Sequence, residues 1–313
     1  MAFAVSRFSG HKFGAMVTNL SVEDITSSAI KKELRQVWLD AGVVVFRGLP
    51  DTTEVQIALS EVFGELAIHP VAAARVPGTE TLQQLKNVPD NCDIYEVNGA
   101  LRAGYLPWHL DLIYVERNNR GGILRLLQRP SSGGQTGFID RLQLYDDLPK
   151  ALKETIKGLH VVYHYNPDSS AKKFGAKVKL HKLSTMMQAA YKTINTYSKV
   201  MHPVICLHPE TGRKVLNISP WFALGIYEMP GPEGDALLEE LVAFCENESR
   251  VYYHVWQPGD LVLWDNWRML HGAPGFPVGE SRLAQRTTIV GDYAQGQVVP
   301  GERAMTNRYV PNM

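Results

Sequence analysis

Apolar side chains recur at helical spacing in only a few stretches of this chain. Across residues 27–42, apolar positions such as Leu34 and Trp38 fall on one helical face, and Gly42 supplies a stop signal. The same spacing predicts a second helix that opens on threonine caps and two later helices between strands. These three helices cover residues 52–66, 149–158 and 233–246.

Short apolar runs, rich in β-branched and aromatic residues, make up the middle and the end of the chain. Gly, Pro and Asn separate the runs, as expected for strands joined by turns. The predicted strands cover residues 43–48, 122–128, 135–140, 158–165, 202–209, 214–219, 250–257, 260–266 and 285–292. Many short strands with few helices favour a sandwich or a barrel closed around an apolar core.

Two stretches depart from this pattern. Residues 165–200 carry many lysines and almost no acidic residues, which fits either a solvated surface excursion or a lid insertion over a pocket. We predict a lid, because long insertions in compact domains are often functional. After Asp292 the chain is polar and aperiodic, so residues 293–313 are predicted as a polar C-terminal tail, either frayed or reaching across a partner subunit. We expect a homo-oligomer.

Composition and charge exclude several classes of partner. The chain has 32 basic and 32 acidic residues, so its balance gives no reason to expect nucleic acid or an anionic membrane surface. No apolar stretch approaches the roughly 18 residues of a membrane span. Cys92, Cys206 and Cys245 are odd in number and far apart, which argues against a disulfide framework. We therefore expect buried free cysteines in a reducing, cytoplasmic protein.

The segment PWHLDLIY, at 107–114, places His109 and Asp111 two positions apart in an otherwise apolar run. In a β-strand such residues share a face, so the pair is either a local hydrogen-bonded pair or turn, or two ligands of one metal ion. His271, after the strand at 260–266, is the best third ligand. Two histidines and one carboxylate form the facial triad of non-haem Fe(II) oxygenases, and the absence of thiolate ligands argues against structural zinc.

Three more polar residues accompany this candidate site. Thr136 ends the segment GGQT, and Arg282 and Arg286 follow His271 in RLAQRTTIVGD. Within a strand, the two arginines would share a face. A planar guanidinium is the natural receptor for a carboxylate, so both are candidates for binding anions.

Taken together, these blocks resemble the taurine dioxygenase family, the iron(II)- and 2-oxoglutarate-dependent oxygenases related to 2,4-dichlorophenoxyacetate dioxygenases. WHLDLIY is similar to the family's W-H-x-D segment, and PSSGGQTGFIDRLQLYDDLP is similar to its G-G-x-T-x-F block. PGDLVLWDNWRMLHGAPGF and RLAQRTTIVGD resemble its distal His and Arg blocks, and FGELAIHPV resembles a substrate-side segment. The resemblance implies a mainly β fold with flanking helices, a double-stranded β-helix (jelly-roll, cupin-like barrel), in a single catalytic domain over residues 1–313.

The resemblance also implies roles for individual residues. His109, Asp111 and His271 match the family's Fe(II) ligands, which form its catalytic centre. Thr136 and Arg282 match the pair that binds the distal carboxylate of 2-oxoglutarate.

Other positions match or depart from the family's substrate site. His69 and Arg286 match the positions that bind the sulfonate of taurine, although Arg286 could instead form an internal salt bridge. Ala72 replaces a tyrosine and Tyr105 a small polar residue, so we expect a pocket that opens on one side and gains an aromatic wall on the other. This favours a small anionic substrate with a sizeable apolar body. Two aromatic residues are further candidates for the pocket wall, unless they belong to the core: Trp221 and Phe222.

The implied reaction is hydroxylation of the substrate, or a derived C–O cleavage or desaturation. O₂ is then a co-substrate, and 2-oxoglutarate is converted to succinate and CO₂. Two alternatives stay open: a zinc-dependent hydrolase, which also uses two histidines and a carboxylate, and a non-catalytic small-molecule binding protein of the same fold. The hydrolase does not need the carboxylate receptor implied at Thr136 and Arg282.

Overall fold

The computed structural model describes residues 3–69 and 71–302, and the structural statements below concern those residues. The helices are α1 (Ser28–Ala41), α2 (Thr53–Glu61), α3 (Arg141–Asp147), α4 (Lys150–Thr155), α5 (Thr185–Tyr191) and α6 (Pro232–Cys245). α1 and α6 lie where helical spacing predicts them. α2 ends earlier than predicted, because the chain turns at Gly64, whose φ is +157°, and Leu66 then bridges to Ile289.

The remainder of the structure is predominantly strand. The strands are β1 (Ala4–Arg7), β2 (Ala15–Thr18), β3 (Val43–Phe46), β4 (Leu82–Asn87), β5 (Ile94–Val97), β6 (Ala100–Ala103), β7 (Leu106–His109), β8 (Gly121–Gln128), β9 (Thr136–Asp140), β10 (His160–Tyr163), β11 (Lys179–Lys182), β12 (Val200–Pro203), β13 (Ile205–Leu207), β14 (Lys214–Leu216), β15 (Ala223–Ile226), β16 (Tyr252–His254), β17 (Leu261–Asp265), β18 (Met269–Ala273), β19 (Phe276–Pro277), β20 (Arg282–Ile289) and β21 (Gln297–Val298). The strand predicted over 202–209 is interrupted, because the chain passes from β12 to β13 at Val204.

Mostly antiparallel pairing organises these strands into two main sheets. One has seven strands in the order β1-β2-β3-β17-β8-β20-β4, and the other has four in the order β16-β9-β18-β7. Two further four-stranded sheets follow the orders β15-β10-β12-β21 and β11-β5-β6-β19, and β13 and β14 form a two-stranded sheet. Among the described residues these are open sheets rather than one continuous closed barrel.

The two main sheets pack against each other through a shared apolar layer. Leu124 and Val262 of the seven-stranded sheet belong to the same buried cluster as Phe138 and Met269 of the four-stranded sheet. Burying each such side chain contributes roughly 1.5–3 kcal/mol. The inner faces of β7 and β18 therefore look into the space between the sheets, where a polar group is shielded from water.

Residues 165–200 are more structured than a solvated excursion. β11 pairs with β5, and Phe174 is buried in the largest core cluster. Just after α6, the Glu246 carboxylate accepts a hydrogen bond from the amide N–H of Ala176 (3.2 Å). These contacts fasten the first half of the segment to the body, whereas α5 buries none of its own residues.

The polar tail begins as an ordered segment. β21 pairs with β12, and the amide N–H of Gly296 donates to the carbonyl oxygen of Glu116 (3.0 Å). Residues 303–313 of the predicted tail lie outside the described part of the chain.

The three cysteines bear out one expectation. Cys92, Cys206 and Cys245 are all free and buried. No helix in the described ranges has both the length and the apolar character needed to cross a membrane.

Candidate functional site

Two histidines face each other across neighbouring strands. His109 is the last residue of β7, His271 lies in the middle of β18, and the antiparallel register pairs them directly. Both are buried, and their ring centroids are 4.2 Å apart. The carboxylate of Asp111 places Oδ1 3.8 Å from His109 Nε2 and Oδ2 3.6 Å from His271 Nε2. The ligand atoms of the three residues all lie within 4.8 Å of one another, which is close enough to share one ion.

Asp111 reaches the histidines from a turn. β7 ends at His109, and Leu112 adopts a positive φ of 57°, so the prediction that His109 and Asp111 share a strand face was wrong. The side chain of Asn266 holds the turn, accepting from the amide N–H of Asp111 (3.0 Å) and donating to its carbonyl oxygen (3.0 Å). A contact distant in sequence therefore positions the carboxylate, and no local pattern encodes it.

The protonation state of His109 suits a metal ligand. Its Nδ1 lies 2.7 Å from the carbonyl oxygen of Pro107, which can only accept, so Nδ1 carries the proton. Nε2 then presents its lone pair towards Asp111. Burial, together with the neighbouring His271, lowers the pKa of His109 to about 3. The ring is therefore neutral near neutral pH, as metal coordination requires.

The donor set fits a divalent ion that keeps open positions, such as Fe(II). It consists of two imidazoles and one carboxylate, the combination used by non-haem iron oxygenases. Within the described chain no cysteine thiolate joins these three ligands.

The carboxylate of Asp111 also pairs with Arg286. Nη1 lies 3.2 Å from Oδ1, and Nη2 lies 2.5 Å from Oδ2. The guanidinium sits 4.9 Å above the ring of Trp264, which in turn is 5.2 Å from the His271 ring. Although burial alone would raise it, the charges of Arg286 and then His271 hold the pKa of Asp111 well below its usual range. Arg286 thus makes the internal salt bridge that the sequence left open.

Thr136 and Arg282 border the glycine-rich loop before β9. Arg282 Nε donates to the carbonyl oxygen of Gly134 (3.2 Å), and the Trp256 indole N–H donates to Thr136 Oγ1 (3.3 Å). No carboxylate of the described residues lies within ion-pair distance of Arg282, and burial lowers its pKa to about 10. A cleft of about 450 Å³ opens beside this loop. An enclosed guanidinium without a counter-charge is suited to bind an anion.

An aromatic wall adjoins His109. The ring of Trp221 meets the His109 ring edge to face at 5.3 Å and stacks on Phe222 at 4.4 Å. Phe222 has φ +74°, which is rare for a bulky residue, and its ring is 4.9 Å from Tyr114 and 6.1 Å from Tyr165. Both predicted wall residues are buried, so they serve the core and border the site.

His69 and Tyr105 are placed differently. Burial lowers the pKa of His69, and the charge of Arg286 adds to that effect, so His69 lies within electrostatic reach of Arg286. Ala72 follows in a short 3-10 helix, while Pro70 lies outside the described residues. The Tyr105 ring packs 6.1 Å from Tyr95, and burial raises the pKa of its hydroxyl group.

Three residues that the sequence did not single out support the site. Asn266 holds the Asp111 turn, Trp264 lies under Arg286, and Trp256 donates to Thr136. All three lie in or next to strands whose sequences are typical of the apolar core, so nothing in the sequence indicated that they support the site.

Comparison with known proteins agrees with this geometry. The family model described as "Taurine catabolism dioxygenase TauD, TfdA family" matches residues 5–288. The chain is 32% identical to an (S)-phenoxypropionate/alpha-ketoglutarate-dioxygenase of Sphingobium herbicidovorans, over 90% of this chain and 93% of that relative. It is 30% identical to an alpha-ketoglutarate-dependent 2,4-dichlorophenoxyacetate dioxygenase of a Burkholderia species, over 89% and 92% of the two chains.

A solved structure confirms the predicted fold class. A taurine dioxygenase from Burkholderia xenovorans superposes with a TM-score of 0.71 at 25% identity, covering 96% of this chain and 97% of that one. The two packed sheets are accordingly those of a double-stranded β-helix, the jelly-roll architecture of such dioxygenases.

Proposed function

We infer the roles of individual residues from one premise: this chain belongs to the taurine catabolism dioxygenase TauD, TfdA family and is a 2-oxoglutarate-dependent non-haem iron dioxygenase. Within it, His109, Asp111 and His271 hold Fe(II), and Thr136 and Arg282 hold 2-oxoglutarate. The observation that carries this assignment is the set of two buried imidazoles and one half-buried carboxylate whose ligand atoms lie within 4.8 Å of one another.

Two of the three ligands are held in place by identified hydrogen bonds. His109 is fixed by its hydrogen bond to Pro107 and supplies a neutral Nε2 lone pair. Asp111 supplies the negative charge and is held in place by Asn266. When bound with 2-oxoglutarate, Fe(II) supplies the chemistry that side chains lack, the activation of O₂ coupled to conversion of 2-oxoglutarate to succinate and CO₂.

Arg282 and Thr136 orient the co-substrate. The Nε of Arg282 is engaged by Gly134, which leaves its terminal nitrogens for the distal carboxylate of 2-oxoglutarate. Thr136 Oγ1 already accepts from Trp256, so its own hydroxyl hydrogen is available to the same carboxylate. A charge-assisted pair of this kind also relieves the desolvation of the buried guanidinium.

For the organic substrate, we propose a small aryloxy- or arylalkanoate, that is, one carboxylate on an aromatic body. Trp221 and Phe222 provide a stacked apolar face beside His109 for the ring. Arg286, with His69 in its electrostatic field, provides the positive charge for the carboxylate. Tyr105 we assign to the more distant wall. A relative named for phenoxypropionate is consistent with this class.

The outcome we propose is hydroxylation of the carbon that carries the carboxylate. In an aryloxyalkanoate that carbon also bears the ether oxygen. One atom of O₂ enters this C–H bond, and the other enters succinate. The resulting hemiketal or hemiacetal then loses the phenol, with the hydroxyl proton going to the departing oxygen, and leaves a 2-oxo acid.

Residues 165–200 cover this pocket as a lid in our proposal. Tyr165 and Tyr197, from the two ends of the segment, contact each other at 4.6 Å, and both contact Tyr114. A hydrogen bond from the Tyr191 hydroxyl to Asp168 (2.5 Å) closes the segment on itself. A cover of this kind excludes water from the reacting carbon.

Succinate release in the presence of Fe(II), O₂ and 2-oxoglutarate tests the proposal. The panel contains both enantiomers of 2-phenoxypropionate, phenoxyacetate, taurine and a medium-chain alkyl sulfate, with 2-phenoxypropionamide as the matched neutral control. We expect an aryloxy acid to stimulate succinate release, with a phenol formed in equal amount, and the amide to be at least about tenfold poorer because it lacks the charge that Arg286 binds.

Other outcomes discriminate between the alternatives. Preference for the alkyl sulfate would retain the anion but contradict the aromatic body. Product formation without O₂ and 2-oxoglutarate would point to hydrolysis. Absence of stimulated succinate with every anion would contradict the substrate class altogether.

A further inference from the structure

The two oxygens of the Asp111 carboxylate face two different sets of partners. Oδ1 lies 3.2 Å from Arg286 Nη1 and 3.8 Å from His109 Nε2. Oδ2 lies 2.5 Å from Arg286 Nη2 and 3.6 Å from His271 Nε2. The guanidinium therefore engages both carboxylate oxygens, including whichever one would bind a metal ion shared with the two histidines.

Arg286 is held in this position by the fold. It projects from β20, its guanidinium lies 4.9 Å above the Trp264 ring, and its side chain is only 17% exposed. Its Nε is buried and has no hydrogen-bond partner among the described residues. The two terminal nitrogens, which form the fork that best matches a carboxylate, are both directed at Asp111.

The pairing of Arg286 with Asp111 disfavours simultaneous binding of a substrate carboxylate by Arg286. With both terminal nitrogens donating to Asp111, the guanidinium keeps three N–H donors, but its Nε is buried and its charge is already offset by the Asp111 carboxylate, so it attracts a second carboxylate weakly. A divalent ion on Asp111 would in turn reduce the negative charge that the guanidinium feels and would repel it. Binding of the metal and pairing with Arg286 are therefore expected to weaken each other.

We propose that Arg286 and the metal ion compete for Asp111, and that metal binding releases the Arg286 fork to receive the carboxylate of the organic substrate. The proposal rests on the anionic substrate inferred above. It makes Arg286 both a positioning residue for Asp111 and the element that orders binding, with the metal before the substrate.

The first arm of the test measures Mn(II) affinity by calorimetry, without co-substrate. Arg286→Ala should bind Mn(II) about tenfold more tightly than wild type, the change given by about 1.4 kcal/mol. Arg286→Lys retains the charge and should stay near the wild-type affinity. Arg213→Ala, which removes a positive charge from an exposed ion pair with Asp146, is the matched control and should change nothing. Thermal melting verifies that each variant is folded.

Unchanged or weaker Mn(II) binding by folded Arg286→Ala would overturn the competition. Arg286 would then only position the carboxylate, and its loss would leave Asp111 less well placed for the ion. Loss of affinity in both Arg286→Ala and Arg286→Lys would point the same way.

The second arm measures binding of 2-phenoxypropionate. Wild-type protein stripped of metal should bind it at least about tenfold more weakly than protein loaded with Mn(II). Asp111→Asn leaves the guanidinium without its anionic partner, so this variant should bind the probe without metal. Equal binding by stripped and loaded wild type would overturn the release step.

The two arms separate this proposal from the function on which it rests. If Arg286→Ala binds Mn(II) more tightly but binds 2-phenoxypropionate as wild type does, the release step and the assignment of Arg286 as the carboxylate receptor are both wrong, while competition at Asp111 stands. If Arg286→Ala loses the probe but stripped and loaded wild type bind it equally, the substrate class stands and the ordering is wrong.

Discussion

Replacing Arg282 by leucine should weaken 2-oxoglutarate binding without destabilising the folded protein. Burial lowers the pKa of Arg282 from its ordinary value to about 10. Since one pKa unit corresponds to about 1.4 kcal/mol, burial disfavours the charged form of the side chain by roughly 3 kcal/mol of free energy. The hydrogen bond to Gly134 returns about 1 kcal/mol of this, so the unliganded protein carries a net penalty at neutral pH.

A carboxylate of 2-oxoglutarate placed against the guanidinium would recover that penalty. Charge-assisted hydrogen bonds contribute about 1.5–3 kcal/mol, so Arg282→Leu should raise the dissociation constant for 2-oxoglutarate about 10- to 150-fold. The melting temperature of the unliganded variant should be unchanged or higher, because an uncompensated buried charge has been replaced by an apolar group.

Calorimetric titration of 2-oxoglutarate into Mn(II)-loaded protein measures the effect. Arg129→Leu is the matched control, since Arg129 lines the cleft beside the same loop and donates to the carbonyl oxygen of Trp256 (2.7 Å). A change below about threefold in Arg282→Leu, or an equal loss in Arg129→Leu, would refute the assignment. A lower melting temperature with unchanged affinity would make Arg282 a structural residue.

Three further perturbations follow from the structure. Asp111→Ala removes the only anionic ligand, so coupled succinate formation should vanish while the circular dichroism spectrum stays close to wild type; full activity would exclude Asp111 as a ligand. Tyr191→Phe deletes the hydrogen bond to Asp168, so amide exchange within 165–200 should accelerate and KM for the organic substrate should rise, with KM for 2-oxoglutarate unchanged. Although burial alone would raise it, basic hydrogen-bond partners lower the pKa of Asp260 from 3.8 to about 2. Its contribution of about 2 kcal/mol is therefore present above pH 4 and lost as the pH falls towards 2, a decline in unfolding free energy that Asp260→Asn should abolish.

Local periodicity predicted those elements whose burial is decided by their own sequence. α1 and α6 each bury one helical stripe, and the strand at 43–48 is apolar on both faces, so spacing alone identifies them. The strand predicted at 202–209 failed as a single element because the chain changes sheets within it, from β12 to β13. Which sheet a strand joins depends on partners far away in sequence.

In the candidate site, too, the sequence predicted some features and not others. The spacing of His109 and Asp111, with a distal His271, identified three residues that the structure does bring together. Asp111 reaches the histidines differently from the prediction, because it lies in a turn after the strand and is held there by Asn266. An amide that acts through the backbone of a distant turn has no signature in the sequence.

The partner of Arg286 could not be predicted from the local sequence either. A guanidinium on a strand face predicts an anion, but the pattern does not say whether that anion belongs to a ligand or to the chain. The structure supplies Asp111, and the competition proposed above arises from that contact. The predicted homo-oligomer stays a prediction.

The position of the bound metal ion tests the proposed site most directly. A crystal soaked with Mn(II) and 2-oxoglutarate, measured at a wavelength where manganese scatters anomalously, locates the ion without any assumption about activity. We predict one strong anomalous peak bounded by Nε2 of His109, a carboxylate oxygen of Asp111 and Nε2 of His271, with the distal carboxylate of 2-oxoglutarate against Arg282. A peak elsewhere in the protein, or a peak at this site that survives in Asp111→Ala with undiminished occupancy, would contradict it.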